Sequence, residues 1–211
     1  MNLPGLYAVL DAEVARAHGW TIPDLARAVF DGGAMLVQVR AKTLTSADFL
    51  QISREVTTLA ASYGATVIVN DRADVAVLAG ASGVHVGQDD LAPGDARAIV
   101  GPDRLVGVST HTREQVLRAA AAPIDYIAVG PIFGTATKDT GYEAAGLDLV
   151  SHAHATGRAV VAIGGITLER AASVIRAGAT SLAVITDLLT GEDPSARTRA
   201  FVAAASAAGT L

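Results

Sequence analysis

Apolar residues in this chain fall in short, nearly continuous runs rather than in strict alternation. The runs predict strands at Leu6–Leu10, Met35–Arg40, Thr66–Asn70, Gly83–Val86, Leu105–Ser109, Tyr126–Val129, Ala159–Ile163 and Ser181–Ile185. Most are too short and too evenly apolar for amphipathic helices. They suit parallel strands covered on both faces. Alanine-rich segments with helix start and stop signals lie between them. Thr21 stands two residues ahead of Pro23, as a capping residue does with Pro in the first turn. Ser46-Ala47-Asp48 opens a helix reaching about Ala61, with Gly64 beyond its end. Thr112 and Gln115 have capping-box spacing, and Thr167 opens a further helix with Gly178 past its end.

Strands alternating with helices eight times predict a closed (β/α)8 barrel, the TIM barrel. An open doubly wound sheet would carry a glycine-rich loop after its first strand. Here that strand leaves as Leu10-Asp11-Ala12-Glu13. No linker or low-complexity stretch divides the chain, so residues 1–211 read as a single barrel domain. The run Ala203–Ala208 reads as the end of the last helix.

Composition narrows the function. Half the residues (51%) are hydrophobic, which excludes a disordered chain. A net charge of −5 argues against a nucleic-acid surface, which would be basic. No apolar run approaches the ~20 residues that span a bilayer. The start, Met1-Asn2-Leu3-Pro4-Gly5, lacks the basic and apolar regions of a signal peptide, so a cytoplasmic location is expected. With no cysteine there can be no disulfide, thiolate metal site or Cys nucleophile.

Barrel enzymes work at the C-terminal ends of their strands, and there the polar residues gather. Gln38 and Arg40 share a face of the second strand, and Lys42 follows at its exit. An amide and two cations converging at a strand end suit an anion. Asp71 and Asp90 follow consecutive strands. Two hard carboxylates beside an anion site suit Mg²⁺, which takes one or two carboxylates plus phosphate oxygens and water. The rival reading of Asn70-Asp71 is a helix cap, and the sequence leaves open whether Asp89 or Asp90 points inward. Gly164-Gly165 ends the seventh strand, where barrels of this kind commonly hold phosphate. Gly134-Thr135-Ala136-Thr137-Lys138-Asp139 reads as a polar loop able to close over phosphates, or as a plain surface loop. His85 reads as a satisfied barrel residue, His111 as the one histidine at a strand end, and His152 and His154 as solvated helix residues.

These segments together resemble the thiamine-phosphate synthase family. The matching stretches are Gln38-Val39-Arg40-Ala41-Lys42, Val69-Asn70-Asp71, Gly83 through Asp90, Gly107-Val108-Ser109, Gly130 through Lys138, and Ile163-Gly164-Gly165-Ile166. They come in family order and at family spacing. The resemblance implies small phosphorylated substrates and Mg²⁺. It implies that Gln38, Arg40, Lys42, Asn70, Ser109 and Lys138 hold an aminopyrimidine diphosphate, with Lys138, Arg40 and Ser109 closest to the chemistry. Asp71 and Asp90 would hold the Mg²⁺. Thr135, Thr137, Gly165, Ile185 and Thr186 would hold a thiazole phosphate. The family ordinarily has a small residue after Ile185-Thr186, and this chain has Asp187. Either Asp187 faces away or that end of the site is altered. A thiazole tautomerase of the sister branch, another phosphate-binding barrel, and a barrel that has lost catalysis are the alternatives. No nucleic acid or membrane partner is expected, and a homo-oligomer is left open.

Overall fold

Eight parallel strands close into a barrel in the computed structural model, which describes residues 3–134 and 141–209. They are β1 (Leu6–Asp11), β2 (Leu36–Arg40), β3 (Thr66–Asn70), β4 (Gly83–Val86), β5 (Leu105–Thr110), β6 (Tyr126–Val129), β7 (Ala159–Ile163) and β8 (Ser181–Val184). Neighbours in sequence are neighbours in space, and β8 pairs back onto β1 through Leu6 and Leu182. The outer layer is α1 (Ala12–Ala17), α2 (Ile22–Asp31), α3 (Ser46–Ala61), α4 (Ala73–Leu78), α5 (Pro93–Val100), α6 (Arg113–Ala120), α7 (Gly146–His154), α8 (Leu168–Arg176) and α9 (Pro194–Gly209). The (β/α)8 expectation holds, and the Ala203–Ala208 run lies inside α9 as expected. None of the described helices is long and apolar enough to cross a membrane.

The predicted strands shift at four ends. β2 starts one residue later, at Leu36. β1 runs one residue further, to Asp11, and β5 one further, to Thr110, whose hydroxyl donates to the Ala128 carbonyl at 2.9 Å. β8 stops one earlier, because Ile185 (φ −113°, ψ −86°) leaves the strand region and begins the 3₁₀ turn Thr186–Leu189.

Caps start the helices where the sequence places them. The Thr21 hydroxyl accepts the Asp24 amide at 3.2 Å, and Thr45, one residue before α3, does the same for Asp48. Thr112 accepts the Gln115 amide, but Gln115 answers one residue earlier than a capping box would. Its Oε1 takes the His111 amide at 2.6 Å.

Two apolar layers form. Between sheet and helices lie residues such as Val37, Val67, Val106, Ile127 and Phe201, all buried. Inside the barrel a smaller cluster gathers Tyr7, Val9, Leu36, Ile68, Tyr126 and Val161. Gly107 makes that inner layer fit. A Cβ there would sit 2.0 Å from the Tyr126 ring, so glycine opens the space the ring fills. Across it, the His85 ring stacks on Tyr126 with centroids 5.6 Å apart.

Candidate active site

The period-two reading of β2 holds. Gln38 is buried and Arg40 lies at the strand's end. Arg40 turns to Asp11, the last residue of neighbouring β1, and forms an ion pair with it. Asp11 is itself buried, and its other oxygen accepts the amides of Glu13 and Val14 at the start of α1. One carboxylate thus caps a helix and fixes a cation at the rim. Asp11 is the site residue that the strand-end survey missed. Its signal was present, an acid leaving a strand beside another strand's arginine, but the pairing of first and second strands had to be known.

Lys42 reaches across to Asp71, Nζ to Oδ2 3.0 Å. Asp71 has φ +61°, the left-handed region that a non-glycine residue seldom occupies outside functional or turn positions. Its amide donates to the His85 carbonyl at 2.8 Å, which continues the β3–β4 pairing to this point. The helix-cap reading of Asn70-Asp71 fails. The residue before α4 is Arg72, and no side chain caps it. Of the two acids after β4, Asp90 is the one that turns in, its Oδ2 accepting the Gly87 amide at 2.7 Å. Burial, then contact with Asp90, pushes the Asp71 carboxyl above the usual range, while Lys42 pulls the other way.

That adjoining acid pair fits a hard divalent cation. Among the described residues no group of three or more His, Cys, Asp or Glu gathers to hold a metal. An all-protein cage is therefore absent there, but Mg²⁺ needs only one or two carboxylates when a substrate and water complete its shell.

The opposite side of the rim is different. A cavity of about 230 Å³ opens between β5 and β8, walled by Ser109, His111, Gly164, Gly165, Ile185 and Thr186 among others. Gly164 (φ +100°) and Gly165 (φ +62°) bring backbone to its edge. Gly165 is also required by the turn itself, since a Cβ would meet the Gly134 carbonyl oxygen at 2.7 Å. The His111 ring bonds the Gly130 carbonyl through Nδ1 and stacks on Tyr142 at 4.2 Å.

Asp187 lines the same cavity, but its charge is engaged. It pairs with Arg197 at 2.7 Å and accepts the Leu168 amide at the start of α8 at 3.3 Å. Thr167 precedes that helix without capping it through its side chain. Thr135, Thr137 and Lys138 lie outside the described residues. Asn70 is buried at the end of β3, directly before Asp71. His85 is satisfied as expected, by Tyr126 and Ser109. His154 is exposed as expected, but His152 is not solvated. It is half-buried, and its Nε2 is buried with no hydrogen-bond partner among the described residues.

Fold and rim together define a (β/α)8 barrel that gathers charged side chains and a cavity on the C-terminal face of its strands. The chain belongs to the thiamine monophosphate synthase family, whose model matches residues 6–188. It is 44% identical over 205 residues to the thiamine-phosphate synthase of Koribacter versatilis (strain Ellin345), covering 96% of each chain. It is 42% identical over 208 residues to that of Methanoculleus marisnigri (strain ATCC 35101 / DSM 1498 / JR1), covering 97% of this chain and 98% of the other. The solved thiamine phosphate pyrophosphorylase from Pyrococcus furiosus superposes with a TM-score of 0.89 at 27% identity, covering 98% of both chains.

Proposed function

We propose that the chain, acting as one barrel domain over residues 1–211, condenses 4-amino-2-methyl-5-hydroxymethylpyrimidine diphosphate with 4-methyl-5-(2-phosphoethyl)thiazole, or its carboxylate form. The products are thiamine phosphate and pyrophosphate, with CO₂ from the carboxylate. The observation that carries this reading is the asymmetry of the rim. Arg40, Lys42 and the Asp71/Asp90 pair occupy one side, and the glycine-edged cavity before Asp187 occupies the other. A diphosphate belongs with the charges and a small heteroaromatic ring with the cavity.

Chemistry of this kind asks little proton transfer of the protein. The C–O bond to the diphosphate breaks and its electron pair leaves on pyrophosphate. The thiazole nitrogen closes the new C–N bond with a lone pair that is already free. No general base is needed, because that lone pair carries no proton to remove. Preorganised charge where the leaving group develops its own is the main catalytic term. Arg40, held by Asp11, and Lys42 supply it, together with Lys138 from beyond the described residues. Ser109, Gln38 and Asn70 hold the pyrimidine end of the diphosphate substrate. Gly165, Ile185 and Thr186, with Thr135 and Thr137, hold the thiazole phosphate. Asp71 and Asp90 would hold Mg²⁺, which supplies charge neutralisation at the departing pyrophosphate.

The relatives' names favour the synthase over the tautomerase branch, and so does a cation and carboxylate set that a tautomerase has no use for. Incubating both substrates with Mg²⁺ should release pyrophosphate and thiamine phosphate in equal amounts. Pyrophosphate alone, or neither product, overturns the proposal.

A further inference from the structure

A line of polar groups crosses the barrel interior beneath the rim. Gln38 Nε2 donates to the Tyr7 hydroxyl at 2.9 Å. The Tyr7 and Tyr126 hydroxyls lie 3.0 Å apart. The Tyr126 hydroxyl is 3.0 Å from His85 Nδ1, and His85 Nε2 is 2.8 Å from Ser109 Oγ. The line therefore begins and ends on two residues assigned above to the pyrimidine.

Its direction follows from valence. An amide nitrogen can only donate, so Tyr7 accepts from Gln38 and has its own O–H left for Tyr126. Tyr126 accepts that bond and gives its O–H to His85 Nδ1. A neutral imidazole accepting at Nδ1 carries its proton on Nε2, so His85 donates to Ser109. Ser109 Oγ then accepts from below and keeps its own O–H for whatever lies above. At the other end, Gln38 spends an N–H on Tyr7 and keeps its Oε1 as an acceptor. Among the described residues, neither the Ser109 O–H nor Gln38 Oε1 has a further partner.

We propose that this line is a polarity relay, in which Gln38 fixes the tautomer of His85 through Tyr7 and Tyr126 and so makes Ser109 a hydrogen-bond donor to the ligand. Tyr7, Tyr126 and His85 are positioning residues that set what the site recognises. Such a site accepts a ring that offers an acceptor to Ser109 and a donor to Gln38. An aminopyrimidine does so, with a ring nitrogen beside an exocyclic amine. Its oxo counterpart, with a ring N–H beside a carbonyl, sets an acceptor against the buried Gln38 Oε1 and takes the acceptor away from the Ser109 O–H, a mismatch that a polar pocket discriminates strongly. Burial holds both phenols protonated well beyond their ordinary range, so the relay carries orientation and not a proton. Gly107 belongs to the device, since only glycine leaves room for the Tyr126 ring between β4 and β6.

The specificity part rests on the pyrimidine reading given above, but the relay itself can be tested without substrate. The probe is ¹⁵N NMR of histidine-labelled, unliganded full-length protein at about pH 8, above the ordinary imidazole pKa of about 6.5. The His85 signal is assigned by its loss in His85→Gln. The wild type should show His85 as a single Nε2–H tautomer. Gln38→Met removes the donor that sets the direction, and the two tautomers should then mix. A wild-type Nδ1–H tautomer overturns the relay even if the variant does not fold. So does a folded Gln38→Met that keeps pure Nε2–H. A protein with the expected tautomers but no synthase activity leaves the relay standing and removes the catalytic reading. An active protein with the wrong tautomer does the reverse.

Discussion

Asp71 spends stability on its position. Its backbone is held at φ +61°, and burial, then Asp90, raises its carboxyl above the usual range. The folded chain therefore keeps that proton to higher pH than the unfolded chain does. Below the ordinary carboxylate pKa both states are protonated and the residue costs nothing. As pH rises through the raised folded value stability is lost, and the loss persists at neutral pH. Asp71→Asn removes the charge, and Asn tolerates the left-handed backbone. The variant should melt higher than wild type near pH 7, with the gap closing as pH falls toward 4, while Mg²⁺-dependent turnover drops by roughly 10²-fold or more. Thermal melts across pH together with a Mg²⁺ titration check both halves, and full activity in chelator would end the metal assignment. Alternation along β2 made Gln38, Arg40 and Lys42 legible in the sequence. Partners were not legible. Tyr7 and Tyr126 are 119 positions apart, and only barrel closure brings their hydroxyls together. His152 was misread for a related reason, since a histidine on a helix declares its burial only once the neighbouring elements are packed.

Elements were more legible than partners. A strand covered on both faces must be apolar throughout, so β3, β4, β6 and β7 fall where their runs predict. Misplacement came where a polar side chain extends a strand, at Asp11 and Thr110, where a backbone turn ends one, at Ile185, and at the start of β2, which begins at Leu36, after the exposed Met35. The cavity edge adds two tests at this scale. Gly165→Ala forces a Cβ toward the Gly134 carbonyl in a conformation that L-residues avoid. It should cost about 1–3 kcal/mol, read as a lowered Tm. A variant with unchanged Tm would show that the turn has no need of glycine. Asp187 puts an acid beside the cavity after Ile185-Thr186, and α9 answers it, because Arg197 reaches back to its carboxylate at the start of α8. Arg197→Leu leaves that charge facing the cavity without its partner. The thiazole-phosphate KM should rise about tenfold, a ~1.4 kcal/mol effect, with the pyrimidine KM little changed. Equal shifts in both would mean that Arg197 holds the fold and has no bearing on this end of the site.

At the scale of the molecule, the closed barrel does what no single element can. It sets the charges of β2, β3 and β4 across one mouth from the glycine-edged cavity of β7 and β8. A bond made between two substrates held this way is polarised from one side only. In the proposed reaction cations and an acid pair attend the leaving group, and the nucleophile's free lone pair asks for no base. That arrangement favours a dissociative order, in which the C–O bond breaks first and a pyrimidine methylene cation forms before the thiazole nitrogen arrives. The cation draws electrons from its own ring, so the rate must follow the ring's ability to give them. Electron-withdrawing substituents on the pyrimidine should slow single-turnover bond formation strongly, by roughly tenfold for each ~1.4 kcal/mol of cation destabilisation. The opposite order, with the thiazole nitrogen pushing the diphosphate out, predicts a flat trend or a mild acceleration, since withdrawal makes the carbon a better electrophile. A short substituent series measured in single turnovers with saturating Mg²⁺ separates the two. A flat or rising trend would keep the family and the site but reverse the order of bond making and breaking. The charges beside β2 and β3 would then serve to bind the diphosphate in its ground state, and their removal would raise KM with kcat little changed.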